Sequence, residues 1–224
     1  MPFTAVICDL DGLLLDTERL ARWAWQRAAA DWHYTLSDEL YLTLVGRTEA
    51  DSEQLLRQAF GPAFPLRAVQ RRAWDYMQQA IATEGLRLRP GAAELLAFLE
   101  ARGIARAVAT SSEQHFALQK LRGSGLHAYF ATVVTGSEVP RGKPAPDLFL
   151  RAAQQLGRPP QQCLVLEDAA AGVQAAHAAG MAVIMVPDLV PPTAAVAALA
   201  HRVLPSLVAV RAYLERLFAS PAER

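Results

Sequence analysis

Five short apolar runs constrain this chain more than any other feature: Thr4–Cys8, Ala105–Ala109, Thr132–Val134, Cys163–Leu166 and Ala182–Val186. Each is short and, Arg106 apart, free of charge on both faces, the mark of a strand buried within a parallel sheet. Helical segments precede each of the last four, over Ala92–Ala101, Glu113–Leu121, Pro146–Leu156 and Ala170–Ala179, the last closed by Gly180. Strands alternating with helices of about ten residues predict an α/β sheet with right-handed crossovers. At 224 residues the chain is long enough for one full core and a smaller second unit.

The stretch from Asp16 to about Gly85 breaks this rhythm. It holds no convincing strand and reads as amphipathic helices over Glu18–Trp32, Ser37–Leu44, Ala50–Phe60 and Leu66–Ile81. An all-helical insert directly after the first strand predicts a small separate domain over the carboxyl ends of the sheet. Trp23, Trp25 and Trp32 fall in its first helix and are expected to pack a small helical core. The segment after Pro187 is expected to add a final strand or helix and then fray.

Composition narrows the partners. With 22 basic and 22 acidic residues the formal net charge is zero, so no global field favours nucleic acid or an anionic membrane. No 18-residue apolar span and no signal-peptide pattern is present, which predicts a cytoplasmic protein. Cys8 and Cys163 each sit in a strand-like run and are expected to be buried, reduced thiols. Among the 22 basic residues only Lys120 and Lys143 are lysines, so a lysine here is more than usually suspect of a chemical role.

Four polar clusters recur at the ends of the apolar runs or in the loops beyond them. Asp9 and Asp11, in Asp9-Leu-Asp-Gly, follow the first run; Thr110-Ser111-Ser112 follows the second. Gly142-Lys143-Pro144-Ala145-Pro146-Asp147 opens a helix, and Glu167-Asp168 closes the fourth run. Each alone is weak, because acidic pairs arise by chance and Thr-Ser-Ser is an ordinary helix-capping signal. Together they stand where open parallel sheets bind ligands, at the carboxyl ends of strands. Two carboxylates beside a buried strand also require a cation, donors or solvent.

The chemistry these groups suit is phosphoryl transfer. Asp9 can attack phosphorus as a carboxylate nucleophile, and Asp11 can protonate the leaving oxygen and later take a proton from water. Asp9 and Asp168, with a backbone carbonyl and waters, form an oxygen-only site suited to Mg²⁺. The cation and Lys143 offset charge on the phosphoryl oxygens while Thr110 donates from its hydroxyl.

With Asp9-Leu-Asp-Gly, Val108-Ala-Thr-Ser-Ser, Gly142-Lys-Pro-Ala-Pro-Asp and Glu167-Asp-Ala…Ala171-Gly-Val-Gln-Ala-Ala in this order, the chain resembles the haloacid dehalogenase superfamily over nearly its whole length. It is most similar to the branch with a small helical cap that holds β-phosphoglucomutase and sugar- or nucleotide-phosphate phosphatases. The resemblance implies a Rossmann-like three-layer α/β/α core with a parallel sheet, at 1–15 and 87–224, plus an all-α cap at 16–86. It implies Asp9 as nucleophile, Asp11 as general acid/base, and Thr110, Ser111 and Lys143 as phosphate binders. Asp9, the carbonyl of Asp11 and Asp168 are the implied metal ligands, with Glu167 either a further ligand or the partner of one. Strands one and four are expected to be neighbours, which brings Asp9 and Asp168 together.

Departures within the insert bear on the reaction. β-Phosphoglucomutases carry a cap histidine at the position of Ala21 and a loop arginine at the position of Glu49. The absence of both favours hydrolysis over phosphosugar mutation, which stays as the alternative. Arg47 and Glu49, between two cap helices, are the candidates for reading substrate. The expected partner is a small phosphorylated metabolite (a sugar phosphate or a nucleotide-type phosphate), with no nucleic acid and no membrane, handled by a monomer.

Overall fold

The computed structural model describes residues 3–45 and 49–218, the side chains of Glu49 and Ala50 excepted. The chain divides into two compact units, Met1–Asp16 with Arg87–Arg224, and Thr17–Leu86.

The first unit opens with β1 (Ala5–Cys8), all four residues buried. In the second unit follow α1 (Thr17–Ala30), α2 (Asp38–Leu44), α3 (Glu49–Phe60) and α4 (Leu66–Glu84). Back in the first unit come α5 (Ala92–Ala101), β2 (Ala105–Thr110), α6 (Gln114–Gly123), β3 (Thr132–Thr135) and α7 (Asp147–Gln155). The chain continues through β4 (Cys163–Glu167), α8 (Ala170–Ala178), β5 (Ala182–Met185), α9 (Ala194–Leu199), β6 (Arg202–Val203) and α10 (Leu207–Phe218).

The strands form one parallel sheet in the order β3-β2-β1-β4-β5-β6. Alternate strand residues face opposite sides. Ala5, Ile7, Ala107, Ala109, Val165 and Val183 pack with Leu148, Phe149 and Ala152 of α7 and with Val173 and Ala176 of α8. The intervening Val6, Cys8, Val108, Leu164, Leu166 and Ile184 are equally buried. They face the side on which α5 packs against α10. This is a Rossmann-like three-layer α/β/α arrangement. β1 stands at its centre between β2 and β4, where strand order reverses, the place at which open parallel sheets bind ligands beyond the strands' carboxyl ends.

The chain leaves and re-enters this unit side by side. Leu15 and Leu88 form an antiparallel bridge, flanked by Asp16 N–H to Arg87 O at 2.9 Å and Arg89 N–H to Leu14 O at 2.9 Å. Behind that ribbon Arg89 donates to Asp188 at 2.5 Å, both side chains largely buried.

In the second unit α1 and α4 pack along their lengths. The contact face of α1 is small, with Ala24, Ala28 and Ala29 buried, and Val69, Ala73 and Tyr76 are buried on α4. The tryptophans depart from expectation. Trp23 and Trp32 are exposed, and Trp32 lies beyond the end of α1. Alanines allow the close approach of the two helices, so the indoles lie outside the seam; Trp23 instead meets the edge of Tyr76, with the Arg27 guanidinium nearby.

Candidate active site

The site grows from β1. Cys8 pairs with Leu166, and the Asp9 N–H continues that ladder to Leu166 O at 3.0 Å, so Asp9 stands beside Glu167. On the other flank Cys8 pairs with Val108, which brings Thr110 of β2 to the same edge. After Asp9 the chain folds back in a tight loop: Leu14 and Leu15 N–H groups both donate to Leu10 O, and Gly12 N–H donates to Leu15 O. Gly12 makes this turn at φ 84°, a conformation that costs glycine nothing and other residues considerably more. The loop carries Asp11 out beside Asp9.

Lys143 arrives from the loop before α7. Its ammonium donates to Asp9 Oδ1 and to Glu167 Oε1, and lies 5.1 Å from the centroid of the Phe149 ring. All three charged groups are withdrawn from water, Asp9 at 6% and Glu167 at 1% exposure. The second oxygen of Glu167 accepts the Ala169 N–H at 2.9 Å. Both its oxygens are therefore taken, and among the described residues no three acidic, histidine or cysteine side chains gather into a metal-binding cluster. Glu167 thus holds the Lys143 ammonium through one oxygen and the backbone of Ala169 through the other. Helix α8 makes room for this side chain with Gly172, where a Cβ would fall 1.8 Å from Glu167 Oε1.

Burial raises the Asp9 carboxyl to about 7; the negative charge of Glu167 adds to the rise, and Lys143 opposes it. Burial also opposes the charge on Lys143, but Asp9 and Glu167 outweigh it and hold the ammonium well above its usual range. The resulting cluster has two carboxylates on one cation. A buried carboxylate left this short of positive charge, with hard oxygen donors around it, suits a magnesium ion: Mg²⁺ takes one or two carboxylates, keeps waters and accepts substrate phosphate. Asp9, the Asp11 carbonyl and the half-buried Asp168, one residue beyond β4, are the groups that would hold it.

Thr110 is buried, and its hydroxyl oxygen accepts the Ser112 N–H at 3.1 Å. Ser111 is exposed beside it. Arg47 lies outside the described residues; Glu49 opens α3, and its side chain too lies outside them.

Two further side chains join the cluster. Lys120 of α6 reaches both oxygens of Asp11, at 2.7 and 2.8 Å, and Ser112 donates its hydroxyl to Asp11 Oδ2 at 2.7 Å. Scarcity of lysine was the one signal pointing to Lys120. Nothing in its spacing, ten residues beyond Thr110, pointed to Asp11.

The sequence profile of the haloacid dehalogenase-like hydrolases matches residues 3–180. This chain belongs to that family. It is 34% identical to the phosphorylated carbohydrates phosphatase of Thermotoga maritima over 177 residues, covering 79% of this chain and 82% of that protein. It is 36% identical to hexitol phosphatase A of Escherichia coli over 178 residues, 80% of each. Among solved structures, a haloacid dehalogenase family hydrolase from Deinococcus radiodurans, crystallised with phosphate and sodium, superposes with a TM-score of 0.81. That pair shares 34% identity over 96% of both chains. With phosphatases as its relatives, the chain is an enzyme of the phosphoric monoester hydrolase type.

Proposed function

We propose that this enzyme is a Mg²⁺-dependent phosphatase of small phosphomonoesters, sugar or polyol phosphates foremost, working through an aspartyl-phosphate on Asp9. The observation that carries the reading is the Lys143 ammonium bridging Asp9 and Glu167, with Asp11 two residues beyond the nucleophile and held apart by a separate lysine.

In the first step a carboxylate oxygen of Asp9 forms a bond to phosphorus as the bond to the leaving oxygen breaks. Asp11 gives that oxygen its proton, so the alcohol departs neutral. In the second step water attacks the same phosphorus and gives a proton to Asp11, and the acyl-phosphate bond breaks to return Asp9 as carboxylate. Lys143 neutralises charge on the nucleophile and the phosphoryl oxygens, and Glu167 fixes that ammonium in place. Thr110 and Ser111 supply donors at the end of β2. When bound, Mg²⁺ supplies further positive charge against the transferring group. Arg47 and Glu49 are assigned to reading the rest of the substrate. Buried free thiols at Cys8 and Cys163 agree with a reducing, cytoplasmic setting, Cys8 being pushed up to about 12 by burial.

Ala21 and Glu49, where a phosphosugar mutase has histidine and arginine, favour release of phosphate to water over its return to sugar. The test is a panel of sugar, polyol and nucleotide monophosphates with Mg²⁺, read as free phosphate, with β-glucose 1-phosphate included. Stoichiometric phosphate release, lost in Asp9→Asn, is expected. Clean conversion of β-glucose 1-phosphate to glucose 6-phosphate without comparable free phosphate would establish the mutase instead.

A further inference from the structure

Of the two lysines, Lys143 meets the nucleophile, and Lys120 does not. Lys120 stands on α6, and its ammonium makes three contacts: both Asp11 oxygens, at 2.7 and 2.8 Å, and Ser112 Oγ at 3.2 Å. The Ser112 hydroxyl gives its hydrogen to Asp11 Oδ2, so the three groups form a closed triangle. An ammonium has three donors and no acceptor, and here each donor has an oxygen to meet. The triangle is mostly shielded, the Lys120 side chain 17% and the Asp11 side chain 24% exposed. The cations are thus divided between the two aspartates, Lys143 with Asp9 and Lys120 with Asp11.

Resting on the phosphatase reading above, we propose that Lys120 is a positioning residue for Asp11, holding the proton-transferring carboxylate in one orientation beside the nucleophile. Asp11 sits in a turn rather than in a strand, and its carboxylate can swing about two side-chain torsions. A cation on both oxygens, braced by a serine hydroxyl, removes that freedom. Catalytic groups tolerate little displacement: an error of about 1 Å costs on the order of a hundredfold in rate.

The test exploits the leaving group. p-Nitrophenolate departs without a proton, whereas the alkoxide of glucose 6-phosphate needs one, and a positioned acid is worth roughly 10²–10⁴-fold. First-turnover release of the alcohol is measured with Mg²⁺ for the wild type, Lys120→Met and Lys120→Arg. With Lys120→Met, release from glucose 6-phosphate should fall about 10–100-fold and release from p-nitrophenyl phosphate less than about 3-fold. Inhibition by inorganic phosphate should be unchanged, and Lys120→Arg should recover part of the loss. In an Asp11→Asn background, adding Lys120→Met should lower the glucose 6-phosphate rate no further. Equal losses on both substrates, or a full further loss in the Asp11→Asn background, would make Lys120 merely structural. Weakened phosphate inhibition would make it a phosphate ligand. Both results overturn the proposal. A wild-type enzyme that releases phosphate from neither substrate overturns the phosphatase reading itself, before any variant is made.

Discussion

Gly172→Ala sets helix propensity against the geometry of the site. Gly172 lies inside α8, and alanine in a helix interior is ordinarily worth roughly 0.5–1 kcal/mol over glycine. Here the added methyl would fall 1.8 Å from Glu167 Oε1, 2.0 Å from Cδ and 2.6 Å from Cγ. Glu167 has nowhere to retreat: it is 1% exposed, closes β4 and is held by Lys143 and the Ala169 N–H. Forcing a methyl into a packed core costs about 1–3 kcal/mol. Pulling one carboxylate off a buried ammonium costs up to about 3–5 kcal/mol, less here because Asp9 still holds Lys143. After the propensity gain, a net loss of about 2–4 kcal/mol is expected. For a chain this long, that corresponds to a Tm lower by roughly 5–15 °C. Urea unfolding and a thermal scan read the stability, and phosphate release reads the site, where kcat should fall at least about tenfold as Lys143 loses its second partner. Gly123→Ala, also in a helix and with nothing within 4 Å of the added carbon, is the matched control and should be neutral or slightly stabilising. A stabilised Gly172→Ala protein with normal turnover would refute the reasoning, showing that Glu167 reseats freely and does not fix Lys143.

Two further outcomes follow from the charges. The Asp9 carboxyl lies near 7 in the folded protein against 3.8 in the unfolded chain, so the folded state holds its proton over that interval. Its contribution to stability is present at low pH and is lost as pH rises through about 7. In EDTA, Asp9→Asn should therefore gain stability relative to wild type as pH climbs from 4 to 7 in urea unfolding, and adding Mg²⁺ should shrink that gap. Away from the site, Arg89→Met removes the cation paired with the nearly buried Asp188, and should cost about 3 kcal/mol by the same assay.

Much of the core was legible because a strand buried on both faces has a signature that survives in one sequence. The five apolar runs match β1 to β5 within a residue at each end. Three of the strands run one residue further than read, through Thr110, Thr135 and Glu167. These polar residues lie outside the apolar signature, yet they complete the sheet ladder. The tail was less legible: Ala194–Leu199 is a helix written in alanine, valine and leucine, and Leu207–Phe218 is a helix that opens on the same residues, a composition that fits strand or buried helix equally well. What settles α10 is its packing on α5, a contact more than a hundred residues distant in sequence. The same distance hid Lys120, whose partner Asp11 lies 109 residues away. Asp9, Glu167 and Lys143 were legible as a set because their motifs fall at the ends of neighbouring strands or in the loop beside them. The roles within the set, Glu167 on Lys143 above all, required coordinates. Trp23 and Trp32 misled because aromatic residues on a helix usually mark its buried face, and here alanines do.

The most direct test is to trap the covalent intermediate. Asp11→Asn enzyme with Mg²⁺ is mixed with p-nitrophenyl phosphate, whose leaving group needs no acid, quenched after one turnover and reduced with borohydride. Any acyl-phosphate is thereby converted to an alcohol that peptide mass spectrometry can locate. Reduction at Asp9 alone, in stoichiometric amount and lost when phosphate donor is omitted, is the expected result. Full first-turnover release of p-nitrophenolate with residue 9 unmodified, or with the label on another carboxylate, would contradict Asp9 as the nucleophile.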